Sequence, residues 1–429
     1  MSCCLKGTLS SETRNMIVGD EYMLMWVNQP SMTALSLTNN LYDFKLQKYH
    51  KNLENHIHVY RNPNIGYFYT QDFNAIQILM SHLNPDHFLK FLFVHMVPST
   101  AQTIDLFQPF ASMIRSIDLD LSFYLRHMLF YIYNALIEHY IVGASNDVEY
   151  QLLRRQIVHS LASGFQTTEG NEKSIILFKK TCTTNFLHPE IQEPLNKVFQ
   201  KVSSMINSTA TDNMIKIEPD DLNIINMFYF IGSYSWEVSI RDKYMYFYKT
   251  HGLKFRLPDV VQTERTFEGM NNFLFSEAFS SLMMSILVEW KGVDSRYQKT
   301  EMIHNLLLIS MILCLMMKIP VNKNNYITCH KAVDFIFGIR KDLGNINVIT
   351  LLALLKNRVN NDLYDSILEY LMEISQVPQD FFSGISQNFS DMINLSKQCL
   401  DLALENFQNK SQEIFKSKEK TQGDLKNQG

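Results

Sequence analysis

Glycine and proline are scarce, with 15 and 11 residues in a chain of 429. A sandwich or barrel spends a turn about every 8–12 residues, so this shortage argues against an all-β architecture. Cysteine is sparse too: Cys3, Cys4, Cys182, Cys314, Cys329 and Cys399 form no dense framework, and several lie inside apolar stretches, as reduced core cysteines do. Charged residues make up 19%, below the usual rough quarter, and the net charge of −4 gives no overall pull towards nucleic acid or an anionic membrane. The longest apolar run, Leu306 to Met317, contains Ser310 and falls well short of the roughly 20 residues that span a bilayer. Met1 to Asp20 is polar and lacks the apolar core of a secretory signal. The expected compartment is the cytoplasm, with the nucleus as a further one, and no membrane is expected as a partner.

What the chain has is bulk. Hydrophobic residues reach 46%, including 22 Met, 29 Phe and 20 Tyr, which predicts a mainly α fold of long helices packed through large side chains. Pro30 disfavours helical geometry at the residue before it, so a first helix is expected to end near Trp26. Asp72 is a candidate N-cap for a helix whose Phe73, Ile76, Leu79, Met80 and Leu83 form one stripe. Asn84–Pro85–Asp86 opens the next helix with proline in its first turn, where the missing N–H costs nothing. That helix, His87 to Val97, is apolar nearly all round and should be buried. A long helix is predicted from about Leu119 to Val142, broken at Gly143.

After Asp147 the texture changes. Val148, Leu152, Ile157 and Leu161 make a helical stripe, a short helix is predicted around Ser174 to Cys182, and Ile191, Leu195, Val198, Val202 and Met205 repeat at helical spacing. A polar stretch then leads into the strand candidate Met214–Ile217. Three short helices, a turn and a small strand are the order of a winged-helix domain. From Phe273 on, helices are predicted over Glu277–Trp290, Lys299–Lys318, Cys329–Asp342, Val348–Lys356 and Leu363–Ser375. The resulting organisation is a helical scaffold over 1–146, a winged-helix-like domain with a small β-wing over 147–250, a second helical scaffold over 251–388, an amphipathic helix over 389–416 and a disordered tail over 417–429.

Catalytic and metal chemistry find no local support. Structural zinc is built from two close ligand pairs, and here only the adjacent Cys3–Cys4, His56/His58, His82/His87 and Cys329/His330 come close together. Neither G-x-x-x-x-G-K-[ST], G-x-G-x-x-G nor G-x-S-x-G occurs. No cofactor, metal site or catalytic residue is therefore expected. In the candidate third winged helix, Lys197 and Lys201 are offset by Glu190 and Glu193, whereas a groove-reading helix brings net positive charge to phosphates. Protein contact or plain structural support is favoured there over nucleic acid. The C-terminal segment carries Leu395, Cys399, Leu402, Leu404, Phe407, Ile414 and Phe415 on an apolar side, with Lys397, Lys410, Lys416, Lys418 and Lys420 adding charge. Such a helix either docks on a partner or closes the core with a solvated outer face.

Gln71 to Phe91, with Asp72, Leu79, Pro85, His87, Phe88 and Leu89, resembles the central part of the N-recognin ubiquitin-protein ligases of the UBR type. Met25–Trp26 with Asn28 and Ser31 looks like that family's methionine-tryptophan-x-x-asparagine segment. Arg154 to Leu161 is similar to the helix opening its winged-helix domain. Ser281 to Leu313, including Trp290, looks like its helical pair, Asn347 to Ile374 like the next pair, and Asn394 to Phe415 like the charged helix preceding the RING. Order and spacing hold across nearly the whole chain.

The resemblance implies a RING-type ubiquitin ligase of the N-degron pathway, which acts in protein ubiquitination and ubiquitin-dependent degradation. The sequence departs from the family in carrying neither the zinc-binding UBR box nor the RING, so zinc belongs to modules not found here. It implies partners of three kinds: a ubiquitin-conjugating enzyme, N-degron substrates, or a full-length related ligase. The residues it nominates for gripping the conjugating enzyme are Lys397, Leu402, Phe407, Lys410, Ile414 and Lys416. As structural markers it nominates Trp26, Asp72, Pro85, His87, Phe88 and Trp290. A chain without either zinc module is expected not to transfer ubiquitin alone. The alternative is a helical adaptor or winged-helix protein unrelated to ubiquitin, associated with nucleic acid if its third helix proves basic.

Overall fold

In the computed structural model the described residues are 19–40, 67–96, 110, 121–138, 154–155, 157–159, 161–162, 203–205, 215–217, 219–229, 237–258, 269–292, 300–319, 326–378, 381 and 389–426. They are mainly helical, and among them no helix is long and apolar enough to cross a membrane. The chain divides into two compact units, one of residues 1–108 and 127–273, the other of 109–126 and 274–429.

In the first unit, helix α1 (Glu21–Asn40) opens under an Asp20 cap, whose carboxylate accepts from Tyr22 N at 2.9 Å and Met23 N at 3.2 Å. It does not stop near Trp26 as Pro30 suggested. Leu24, Asn28, Met32 and Leu35 form an unbroken buried stripe, while Trp26 and Pro30 lie on the exposed side. A proline there leaves the Trp26 carbonyl without its i+4 donor on a face that water reaches, and burial of the opposite stripe carries the helix through.

Helix α2 (Tyr67–His82) begins before Asp72, so Asp72 is a half-buried helical residue and not the cap. Its predicted stripe is buried from Phe73 to Met80, with Leu83 just past its end. Helix α3 (Pro85–Met96) starts as expected, with Asn84 Oδ1 accepting from Asp86 N at 2.9 Å. Phe88, Leu89, Leu92, Phe93 and Met96 are buried on it. Helices α1, α2 and α3 pack mutually.

Helix α4 (Leu121–Ile137) is largely apolar, with Arg126, His127 and Asn134 as buried polar exceptions, and every described residue from Leu125 to Glu138 is buried. Its residues 121–126 belong to the second unit and 127–137 to the first. The described parts of 154–162 are helical. Strands β1 (Ser203–Met205) and β2 (Ile215–Ile217) form one antiparallel ribbon with Ser204 opposite Lys216. The strand expected at Met214–Ile217 is present over Ile215–Ile217, but Ser203–Met205, expected as the last helical turn of a periodic stripe, is its partner strand. Ladder hydrogen bonds override helical spacing there. The remaining residues expected to form the second and third winged helices lie outside the described residues. A 3-10 helix (Pro219–Ile224), α5 (Glu237–Thr250) and α6 (Gly269–Leu274) follow, the last crossing into the second unit.

The second unit holds α7 (Glu277–Gly292), α8 (Thr300–Lys318), α9 (Tyr326–Phe337), α10 (Val348–Val359), α11 (Asp362–Ser375) and α12 (Phe389–Lys426). Helix α8, the longest apolar run, is buried all round from Leu306 to Met316 and packs on α7, α9 and α11. Each such Leu or Ile contributes about 1.5–3 kcal/mol by leaving water. The helix predicted to reach Asp342 stops at Phe337, and a tight turn with Gly344 and Asn345 at positive φ returns Ile346 O to Arg340 N at 3.0 Å. Helix α11 is capped by Asn361 and closes on Gln376 in the left-handed region. The final helix runs to Lys426, ten residues past the expected end at 416, through Lys, Glu and Gln residues of good helix propensity.

Candidate functional site

Among the described residues, two arrangements draw the polar side chains together. The first is a polar core within the first unit, where α4 ends, the 154–162 turns begin and the 219–229 segment crosses. Glu138 and Arg155 form an ion pair with side chains 3% and 1% exposed. Asn226 Nδ2 donates to Glu138 Oε1 at 2.7 Å and to Asn134 Oδ1 at 3.0 Å, and Arg155 Nη1 donates to Ile224 O at 2.9 Å. Gln77 Nε2, from α2, reaches Glu138 O at 2.7 Å. The neighbouring Arg154 pairs with Asp221. These bonds tie three stretches of chain that also pack apolar side chains together, Tyr133 meeting Phe228 edge-on at 6.2 Å.

His159 completes this core. Its Nδ1–H donates to Arg155 O at 2.6 Å and its Nε2 accepts from Asn226 N at 2.8 Å, so both nitrogens are committed to one neutral tautomer. The ring stacks on Tyr229 at 3.9 Å and meets Tyr244 edge-on at 5.8 Å. Burial, aided by the Arg155 charge, pushes its pKa well below 6.5. Burial likewise raises the Tyr244 hydroxyl far above its usual value. The core is buried and tied together by these bonds, with Gln77 Oε1 and Arg155 Nε left outside the hydrogen-bond set, which suits holding a fold. Nothing in the sequence flagged Glu138 or Asn226; Arg155 and His159 lay inside the Arg154–Leu161 segment that carried the resemblance.

The second arrangement is the surface of α12. Ser396, Cys399, Ala403, Phe407 and Ser411 face inward against α9 and α10. The Phe407 ring meets His330 edge-on at 5.6 Å. Asn347, the cap of α10, donates from Nδ2 to Phe337 O at 3.2 Å and Ser396 O at 3.0 Å, and its Oδ1 accepts from Thr350 N at 3.0 Å. Ser396 Oγ donates to Thr350 Oγ1 at 3.0 Å. The outer side carries Lys397, Gln398, Asp401, Glu405, Gln408, Asn409 and Lys410. Of the nominated contact residues, Lys397 and Lys410 are exposed, Leu402 is half-buried and Phe407 is buried. The side chains of Ile414 and Lys416 lie outside the described residues.

The structural markers scatter. Trp26 is 71% exposed, beside Tyr22, Met23 and Val27 on the outer side of α1. Pro85 and Asp72 are half-buried. His87 is exposed, its Nδ1 2.6 Å from Glu21 Oε2, while Glu21 Oε1 accepts from Asn84 N at 2.6 Å. Phe88 packs edge-on against Phe273 at 5.1 Å. Trp290 is buried in the other unit, where its Nε1 donates to Met302 O at 3.2 Å.

Among the described residues no three His, Cys, Asp or Glu side chains gather closely enough to hold a metal ion. Cys314, Cys329 and Cys399 are buried thiols, and burial pushes Cys329 up to about 11 and Cys399 up to about 12. What the fold defines is a helical scaffold. The chain matches no protein-family model and no curated protein.

Proposed function

We propose that this chain is a scaffold segment of the N-recognin ubiquitin-ligase lineage that binds other proteins of the ubiquitin pathway and does not transfer ubiquitin alone. The observation that carries the reading is the outer face of α12. It is a long helix anchored from Ser396 to Ser411, whose solvent side presents Lys397 and Lys410 among uncharged and acidic side chains. A helix so anchored is pre-organised, so a partner gripping it spends little ordering entropy. The resemblance assigns that helix to the conjugating enzyme and assigns the finer winged-helix organisation to the 147–250 region.

Pull-down of purified ubiquitin-conjugating enzymes by the 429-residue protein tests the reading. Capture that weakens when Lys397 and Lys410 are both changed to Glu supports it; no capture of any conjugating enzyme, of an N-degron peptide or of a related full-length ligase defeats it. Ubiquitin chain formation by the protein alone would refute the claim that it lacks transfer activity. The rival reading, a helical adaptor outside the ubiquitin pathway in a cytoplasmic or nuclear setting, predicts no capture in these three assays.

A further inference from the structure

Between Lys243 and Arg256 the chain reads KYMYFYKTHGLKFR: four Lys or Arg, one His, five aromatic rings and no Asp or Glu. In a protein of net charge −4 this run is a local reversal. The structure sorts its side chains into two sets. Tyr244, Tyr248, Phe255 and Leu257 are buried and anchor the run to the first unit, with Tyr244 edge-on to His159. Lys243, Tyr246, Lys249, His251 and Lys254 are exposed, and Tyr246 is 72% exposed.

The geometry is held. Helix α5 closes with Gly252 at φ +62, Gly252 N donating to Lys249 O at 3.2 Å and Leu253 N to Tyr248 O at 2.9 Å. His251 Nδ1 bonds Phe247 O at 2.8 Å. The turn sets Lys254 just past the helix whose outer side carries Lys243 and Tyr246. Asp242, also exposed, stands one turn before Tyr246 on the same side of α5, so the surface carries this carboxylate among its cations.

We infer that this surface binds single-stranded nucleic acid, with Lys243, Lys249 and Lys254 on phosphates and the Tyr246 ring stacked on a base. Cations spaced around a solvent-facing aromatic are the recurring means of gripping a single strand without sequence preference. A duplex offers no unstacked base for Tyr246. An anionic bilayer is disfavoured because the apolar side chains that would enter it, Tyr244, Tyr248, Phe255 and Leu257, are committed to the core. The net charge suggested otherwise because it averages this run with acidic segments elsewhere. The inference stands apart from the ubiquitin reading, and each can fail without the other.

Fluorescence anisotropy of a labelled oligouridylate of about 20 nucleotides, titrated with the full chain, tests it. The expected Kd is on the order of 10 µM to 100 µM, weakening with log salt at a slope of about −2, as three phosphate contacts require. Tyr246→Ala should weaken binding about fivefold or more, while Tyr246→Phe, which keeps the ring, should bind like the parent. The triple change K243E, K249E and K254E should abolish binding with an unchanged circular dichroism spectrum. No anisotropy change, binding insensitive to Tyr246→Ala, equal or tighter binding of a duplex of the same length, or displacement by phosphatidylserine vesicles would overturn it.

Discussion

Glu138 and Arg155 meet as a buried ion pair in which the carboxylate also accepts from Asn226 Nδ2 and the guanidinium also donates to the Ile224 carbonyl. Each charge is thus neutralised by its partner and hydrogen-bonded besides, which is the condition under which a buried pair is tolerated. Removing one member strands the other. Arg155→Met should lower the stability of the first unit by about 3–5 kcal/mol, read by urea titration with hydrogen exchange over 221–229. The double change Glu138→Gln with Arg155→Met should recover part of that loss. Equal stability of the single variant and the parent would show that the pair does not hold this region.

The buried His159 makes the same region acid-sensitive. Its folded pKa is depressed well below 6.5 by burial and the Arg155 charge, so the unfolded chain takes up a proton first. Stability from this group is fully present above about pH 6.5, falls as the pH drops below that value, and levels off beneath the folded pKa. His159→Asn keeps a donor towards Arg155 O but loses the acceptor for Asn226 N and the titration with it. That variant should be about 1–3 kcal/mol less stable at pH 7.5, with a flatter stability profile between pH 5 and 6.5. A profile as steep as the parent's would assign the acid sensitivity to other groups; His95, also depressed by burial, is the first to test.

Gly269 is needed for space. A Cβ built there would lie 1.9 Å from the Ser81 carbonyl oxygen, where α6 begins against the end of α2. Gly269→Ala should cost about 3 kcal/mol, because backbone must move on one side or the other. Gly292→Ala, where a Cβ meets nothing within 4 Å, should change the melting behaviour little, by about 0.5 kcal/mol or less. Similar melting of the two variants would contradict the close approach.

Asn347 serves two purposes at once, capping α10 and joining it to Phe337 and Ser396. Asn347→Ala removes the cap and the side-chain bonds to the Phe337 and Ser396 carbonyls, at about 2–4 kcal/mol. The accompanying sign is loosened docking of α12, seen as faster hydrogen exchange around Ser396 and Cys399 and as iodoacetamide labelling of Cys399, which burial otherwise keeps protonated. An Asn347→Ala protein with parental exchange at Ser396 would separate the cap from the α12 joint.

Much of the fold was legible in the chain. The mainly helical class, the stripe from Phe73 to Leu83, Pro85 in the first turn of α3 and the buried apolar run Leu306–Met316 of α8 follow from composition, propensity and periodicity, and the structure has them. Where the structure departs from expectation, a non-local effect prevails. Pro30 sits inside α1 because burial of Leu24, Asn28, Met32 and Leu35 holds the helix on its other side. Asp72 is not a cap because the helix gains a turn and more before it. Ser203–Met205 is a strand because Ile215–Ile217 lies alongside.

The site was less legible, for a related reason. Phe407 and Trp26 look alike in sequence, each a large apolar residue in a helical stretch. Tertiary packing buries Phe407 against His330 and leaves Trp26 in solvent. Glu138, Arg155, His159 and Asn226 span 88 positions between their ends, a separation that no local pattern can bridge. By itself the sequence determined where helices form and which stripes must leave water, because those depend on residues three or four apart. Only the tertiary structure decided which stripe covers which, which polar groups meet in the core and which rings stay outside, because those depend on partners far along the chain.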